Sequence, residues 1–391
     1  MSLVSARKAG TPDAQADPLL GVFTRAGYEQ IAPPIIQPAG PFLDAVGEAL
    51  RARTYVFVDP DGQELCLRPD LTIPTCRLHL ARHPDGNVPA RYCYHGLAFR
   101  YQPGGASGTH PTEFGQAGIE SFAAADKEQE DAAVLGLTVE ALRRAGLSEL
   151  QLTIGDLGLF AALLEAIEMP QRWRRRLWHH FWRRDSFRRV LMRLTSPGAL
   201  KAHEMRALIE RLDPGKPDEA QAIVEEHLAQ SGVKVIGART LPDITERLLG
   251  AAADAREEPL PMATAALIDS FTLVRAPARE AARRLADLLR PHGIDIGAAL
   301  LAFERRLDLV DRNGVDTGKA MFSAVFGRSL EYYTGFVFQA FAPGLGAASP
   351  IASGGRYDGL LADMGAPRAV PAVGACIHTE RLAAALGGDG Q

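Results

Sequence analysis

Strand signals occur in two arms of this chain and are missing between them, and that distribution constrains the fold more than any single motif. In the first arm, "TYVFVDPDGQELCLRPD" joins two runs of β-branched and aromatic residues through Asp-Pro-Asp-Gly, which is tight-turn chemistry. Residues 90–101 and 112–122 read as two more antiparallel strands around the Gly-rich loop of "FRYQPGGASGTHPTEFGQAGIE". From roughly 157 to 260 the strand signals vanish, and "RWRRRLWHHFWRRDSFRRVL", "HEMRALIERL" and "DEAQAIVEEHLAQ" all suit helices. Strand character returns in "AMFSAVFGRSLEYYTGFVFQAF"; "GGRYDGLLADMG" then reads as a Gly-rich turn and helix, and "AVGACIHTERLAAAL" as a final strand and helix. The expected fold is α+β: a hairpin-rich sheet with helices between its strands and a helical insertion. The expected divisions are a loose leader over 1–17, a first core segment over 18–156, the insertion over 157–260 and a second core segment over 261–391.

Local features refine this outline. A helix is expected from Pro18 to near Gly27, followed by an extended segment stiffened by Pro33 and Pro34. Another is expected in "LTIPTCRLHLARH", with Thr72 as its cap and Pro74 in its first turn. The run "DKEQEDAAVLGLTVEALRRAG" reads as a helix closed by Gly146.

With 391 residues, 47% of them hydrophobic, the chain can bury a sizeable core. A formal net charge of −4 gives no general positive field to recruit nucleic acid or an anionic membrane. Cys66, Cys76, Cys93 and Cys376 form no CxxC pair, and the N-terminus lacks the apolar run of a signal peptide. Reduced thiols in a cytoplasmic protein are the expectation.

The GxxxxGK[ST], GxSxG and HExxH signatures are absent. His79 and His83 have i, i+4 spacing but no third ligand in sequence, so no metal is expected. Eight arginines lie between Gln171 and Leu191, which suits a helix with a solvated basic face better than a track along a phosphate backbone. The run "GLGAASPIASGGRYDG" lacks the strand–GxGxxG–helix order of a dinucleotide site.

Chemistry concentrates where polar residues interrupt apolar strands: Arg68 and Asp70, Arg100, Gln116 and Glu120, Arg328 and Glu331, and Arg356. Buried charge is costly unless it is paired or bound to a ligand. Asp70, Gln116 and Glu120 near Tyr332, Tyr333 and Tyr357 suit the ammonium and polar side chain of an amino acid, and the arginines suit a carboxylate or phosphate.

The strings "LCLRPDLTIPTCRL", "FRYQPGG…EFGQAGIE", "GRSLEYYTGFVFQAF", "GGRYDGLL" and "AVGACIHTERL" resemble, in order and spacing, the catalytic core of histidyl-tRNA synthetase. "GYEQIAPPII" resembles that enzyme's first class II motif, with Pro34 as the motif proline. The resemblance implies an antiparallel class II synthetase sheet flanked by helices and dimerisation through the first motif. It implies histidine contacts at Asp70, Thr72, Gln116, Glu120, Tyr333 and Tyr357, with Tyr332 beside them, and phosphate-facing roles for Arg100, Arg328 and Arg381.

Departures from that family redirect the functional expectation. About ten residues follow Arg381, where the synthetase continues into an anticodon-binding domain, so no such domain is expected here. Gln102 stands for the Glu that seats adenine, His378 for a glycine beside the nucleotide, and Asp70 for the usual Glu. A chain of this kind resembles the regulatory subunits of ATP phosphoribosyltransferase. The resemblance implies a non-catalytic, cofactor-free subunit that is required by a short-form catalytic partner and takes part in feedback by histidine. It implies a self-dimer within a hetero-octamer and no role for membrane or tRNA. The alternatives are an enzyme that still activates histidine and an RNA-binding module built on the Arg-rich segment.

Overall fold

The computed structural model describes residues 13–45, 48–196, 203–231, 240–326 and 332–387. Residue contacts divide the chain into two compact units, one made of 1–167 with 270–391 and the other of 168–269. The expected leader and insertion ran over 1–17 and 157–260. A helix, Asp13–Arg25, already begins inside the former stretch, with Pro18 within it and Ala16, Leu19, Val22 and Phe23 forming its buried stripe. Pro18 costs this helix one backbone bond, which the stripe offsets. Residues 157–167 belong to the first unit, where the helix Leu157–Ala166 is capped by the Asp156 carboxylate accepting from Gly158 N–H.

The first unit holds every described strand. These are β1 (Glu29–Ile31), β2 (Ile36–Pro38), β3 (Tyr55–Val58), β4 (Glu64–Leu67), β5 (Ala90–Phe99), β6 (Glu113–Phe122) and β7 (Gln151–Asp156). After the second unit come β8 (Arg275–Pro277), β9 (Met321–Ser323), β10 (Phe336–Phe341), β11 (Ala352–Arg356) and β12 (Ala372–His378). Nine strands form one sheet in the order β1-β5-β6-β12-β11-β10-β7-β9-β8, and β2-β4-β3 form a small separate sheet. The centre of the large sheet is antiparallel, with parallel pairs only where β1 joins β5 and β7 joins β9. The helix Lys127–Arg144 buries Val134, Leu135, Val139 and Leu142; Asp126 caps its start and Gly146, at φ 103°, follows its end.

Three sequence expectations are corrected. "GGRYDG" begins as a strand, not a turn: Gly354, Gly355 and Arg356 lie in β11 between β10 and β12. Glycine is required there by close approach, because a Cβ on Gly354 would stand 2.6 Å from the Gly374 carbonyl oxygen and from the Phe338 ring. Thr72 does not cap the helix Thr72–Arg82; the Asp70 carboxylate accepts from Ile73 N–H, and the Thr72 hydroxyl turns inward instead. The expected Arg-rich helix over 171–191 is two helices, Gln171–His180 and Arg184–Leu194. A straight helix would carry Trp182 to the face opposite Trp173 and Leu191, whereas all three are buried, so the chain bends between them.

In the second unit these helices lie with Pro217–Gln230 and Leu241–Ala255. Asp254 accepts from Arg172 Nε at 2.8 Å, Arg176 Nη1 at 2.5 Å and Trp173 Nε1 at 2.6 Å, while Arg188 pairs with Asp269. Part of the basic run is thus neutralised within the unit.

Candidate functional site

Strand register builds the site. Residues directly opposite in antiparallel pairs share a face, so Gln116 of β6 lies beside His378 of β12, and Glu120 lies beside Gly374. Cys376 is opposite Ser353 of β11, which is opposite Gln339 of β10. Phe114, Gln116, Ser353, Gln339, Cys376 and His378 line one cavity of about 350 Å³, which Asp70, Thr72, Tyr332 and Tyr333 complete at one side and Arg53, Arg100 and Arg381 at the other.

The Asp70 side contains two buried acceptors without partners: Asp70 Oδ2 and Gln116 Oε1. Asp70 Oδ1 accepts from Ile73 N–H at 3.2 Å, and Gln116 Nε2 donates to Cys376 Sγ at 3.6 Å. Burial raises the Asp70 carboxyl above its ordinary range against the pull of Arg100. An unpaired buried acceptor is unfavourable until a donor reaches it, so this wall can receive the hydrogen-bond donors of a ligand.

Glu120 and Tyr357 stand behind that wall and do not line the cavity. Glu120 Oε1 accepts from Thr72 Oγ1 at 2.7 Å and Tyr94 OH at 2.9 Å, and Oε2 accepts from the Tyr357 hydroxyl. Burial lifts the Glu120 carboxyl to about 7 despite these three donors. Gly374 makes room for it, since a Cβ there would lie 1.6 Å from Oε2. Tyr332 packs its ring 5.1 Å from Tyr333 and 5.7 Å from Tyr357.

At the other side, Arg100 donates through Nε to Pro69 O at 2.8 Å with its guanidinium 5.1 Å from the Phe114 ring centroid. Arg381 donates to Thr109 O and Pro350 O. His378 packs 5.4 Å from the same Phe114 ring, and burial together with Arg381 and Arg100 holds its imidazole neutral, well below the usual range. The Gln102 side chain is held by Arg53 and by Pro111 O, so it braces its own loop.

Other singled-out residues are structural. Arg68 donates to the Leu97 and Pro33 carbonyls, and Arg356 joins Asp131 and Asp358. His79 is buried against the Phe122 ring with Nε2 3.1 Å from Gly86 O, and among the described residues no cluster of His, Cys, Asp and Glu is set up for a metal. Arg328 and Glu331 lie outside the described residues. Sequence reasoning passed over Arg53 and Gln339. Gln339 carried the same signal as the others, one polar residue in the apolar run "FVFQAF"; Arg53 precedes its strand with no pattern to mark it.

The comparisons with known proteins match this architecture. The histidyl-tRNA synthetase family matches residues 5–236 and 220–382. The ATP phosphoribosyltransferase regulatory subunits of Brucella anthropi and Brucella canis are each 35% identical over 361 residues, covering 92% of this chain and 93% of theirs. The chain belongs to the ATP phosphoribosyltransferase regulatory subunit family. Its fold is the class II synthetase-like α+β fold of histidyl-tRNA synthetase. A solved ATP phosphoribosyltransferase regulatory subunit/histidyl-tRNA synthetase from Bacillus halodurans superposes with TM-score 0.67 at 22% identity, over 99% of this chain and 83% of that one. Histidyl-tRNA synthetase from Nostoc superposes with TM-score 0.61 at 16% identity, over 100% of this chain and 76% of that one. Within the family fold, Asp70, Gln116 and Thr72 of this member share a wall with Glu120 behind it. Among its described residues no helix is long and apolar enough to cross a membrane.

Proposed function

We propose that this chain is the non-catalytic regulatory subunit of a cytoplasmic ATP phosphoribosyltransferase, the glycosyltransferase of the first step of histidine biosynthesis. In this reading a short-form catalytic subunit requires it for activity, assembling with it as a hetero-octamer, and histidine binding in the cavity inhibits the complex. The observation that carries the reading is an asymmetry of the site. The amino-acid wall keeps two unpaired acceptors, Asp70 Oδ2 and Gln116 Oε1, whereas at the other side the buried His378 ring packs on Phe114. The relatives' names support the partner.

Histidine fits by charge and donor count. Its ammonium and imidazole N–H groups meet Asp70 and Gln116, Tyr332 and Tyr333 flank it, and Glu120 with Tyr357 fixes Thr72 from behind. For feedback, histidine must bind the inhibited state of the complex more tightly than the active one. Mixing the chain with a short catalytic subunit, ATP and phosphoribosyl pyrophosphate is expected to give activity that neither shows alone. Asp70→Asn is expected to weaken histidine inhibition about ten-fold or more, the loss of one charge-assisted bond, and to leave activation in place. No gain of activity on mixing, or unchanged inhibition in the variant, overturns the reading.

A second reading, histidine activation with ATP, is favoured by Arg100 and Arg381 standing in the same cavity. Histidine-dependent ATP–pyrophosphate exchange by the chain alone would establish it; its absence in a preparation that binds histidine removes it.

A further inference from the structure

Between Gln171 and Arg193 the sequence carries nine arginines, one aspartate and no lysine, in a chain whose net charge is −4. The helices Gln171–His180 and Arg184–Leu194 divide this charge between two sides. Trp173 and Leu177 of the first helix, and Phe187, Val190, Leu191 and Leu194 of the second, are buried in the unit. Arg172, Arg176 and Arg188 are neutralised by Asp254, Glu257 and Asp269. The outward positions follow helical spacing: Arg175 and His179 stand one turn apart on the first helix, Arg189 and Arg193 on the second, and all four are exposed. Ser186 Oγ lies 2.8 Å from His180 Nδ1, which joins the start of the second helix to the end of the first. Among the described residues Arg175, Arg184 and Arg193 meet no carboxylate, and Arg189 reaches only its own helix, at Asp185 O. Burial and then His179, Arg183, Arg176 and Arg189 hold the His180 imidazole below its usual range, so cations of both helices share one positive field.

The make-up of this patch selects its partner. Arginine and methionine are enriched in protein–protein interfaces and lysine is depleted. Here the run uses arginine throughout, and Met192, 51% exposed, lies between Arg189 and Arg193. Guanidinium groups one helical turn apart suit carboxylates at the same spacing, in bidentate pairs. A nucleic acid fits less well: Asp185 is exposed one turn before Arg189 and would face phosphate, and the buried Trp173 and Trp182 offer no ring to a base.

We propose that the face carrying Arg189 and Arg193, continued by His179 and Arg175, docks an acidic surface of a partner protein. Resting on the function proposed above, that partner is the catalytic subunit. None of these residues lines the amino-acid cavity.

Surface plasmon resonance of the full chain against a short catalytic subunit, at low and high salt, tests it. Affinity is expected to fall as salt rises, and Arg189→Glu combined with Arg193→Glu to weaken it about ten-fold or more, mostly through slower association. Circular dichroism and the thermal midpoint check that this variant is folded; if it is not, Arg175→Glu takes its place. Salt-independent association, or a folded reversal variant that associates like wild type, overturns the proposal. Poly-L-glutamate and polyuridylate RNA are titrated in parallel. Poly-L-glutamate binding that the reversal abolishes supports the face; tighter binding of the RNA, lost in the same variant, makes it a nucleic-acid surface and overturns the proposal. If the two wild-type proteins do not associate, the function proposed above falls together with the partner's identity, and poly-L-glutamate alone decides the face: binding lost on reversal keeps it, and no binding removes it.

Discussion

Among the described residues, Glu120 is a carboxylate held by three hydroxyl donors and no cation, and this sets a pH dependence. Its carboxyl sits at about 7 in the folded chain against an ordinary value near 4.5. As pH rises from about 4.5 to about 7 the unfolded chain gives up this proton before the folded one does, so Glu120 lowers stability over that window. The loss reaches ~3 kcal/mol and is complete above about pH 7. Glu120→Gln is therefore expected to flatten the melting temperature across that window and to raise it at pH 8; a parallel profile in wild type and variant would contradict this. The same residue shows what a sequence can reveal of a site. Asp70, Gln116 and Glu120 stand out because each interrupts an apolar run, and the structure places Asp70 and Gln116 on one wall of the cavity with Glu120 behind it. That Glu120 stands behind Thr72 rather than in the cavity depends on Tyr94 and Tyr357, which the sequence does not tie to it. Arg53 was illegible because its role comes from Gln102 and Tyr101, almost fifty residues away.

Among the elements, β11 and β12 hold the site through what they lack. Gly354 and Gly374 face neighbours so close that a single added carbon meets the Gly374 carbonyl oxygen at 2.6 Å in one case and the Glu120 carboxylate at 1.6 Å in the other. Gly354→Ala is expected to cost ~2–3 kcal/mol, because a backbone oxygen cannot move aside as a side chain can. A fall of several degrees in the thermal midpoint would show it, and an unchanged midpoint would refute the packing argument. Glycine is also why this strand was misread: "GGRYDG" carries a turn signal by composition, and only the closeness of β10 and β12 makes it a strand. The hairpins β3–β4 and β5–β6 were legible because their turn residues and alternation agree. The break at residues 181–183 was not, since it follows from burying Trp182 with Trp173 and Leu191, a demand of tertiary packing rather than of local propensity.

For the whole molecule, the small sheet presents an apolar face that bears on the expected self-dimer. Register puts Ile36, Leu67 and Tyr55 side by side, and Pro38, Leu65 and Phe57 in the next row but one, so six apolar residues share one face. Between them, Gln37 and Cys66 point to the opposite face and are buried. On the shared face Ile36 is 53% exposed and Phe57 38%, with Ile35, at 40%, just before the strand. Scattered apolar residues are ordinary on a protein surface, but a contiguous face of this kind on a three-stranded sheet marks an interaction site. A second copy of the chain is the occupant expected, because the resemblance to class II synthetases implies a self-dimer formed through the segment that contains Pro34 and leads into β2. In sedimentation velocity at micromolar concentration the chain is expected to run as a dimer. Ile36→Lys combined with Phe57→Lys should shift it to monomer with its circular dichroism spectrum unchanged, since both side chains already stand in solvent when the chain is alone. A wild-type monomer, or a lysine variant that remains dimeric, would place the self-contact elsewhere. A folded monomeric variant would also separate the two roles proposed for the chain: histidine binding in a cavity within one copy should survive, while activation of the catalytic subunit should fall if it requires the dimer.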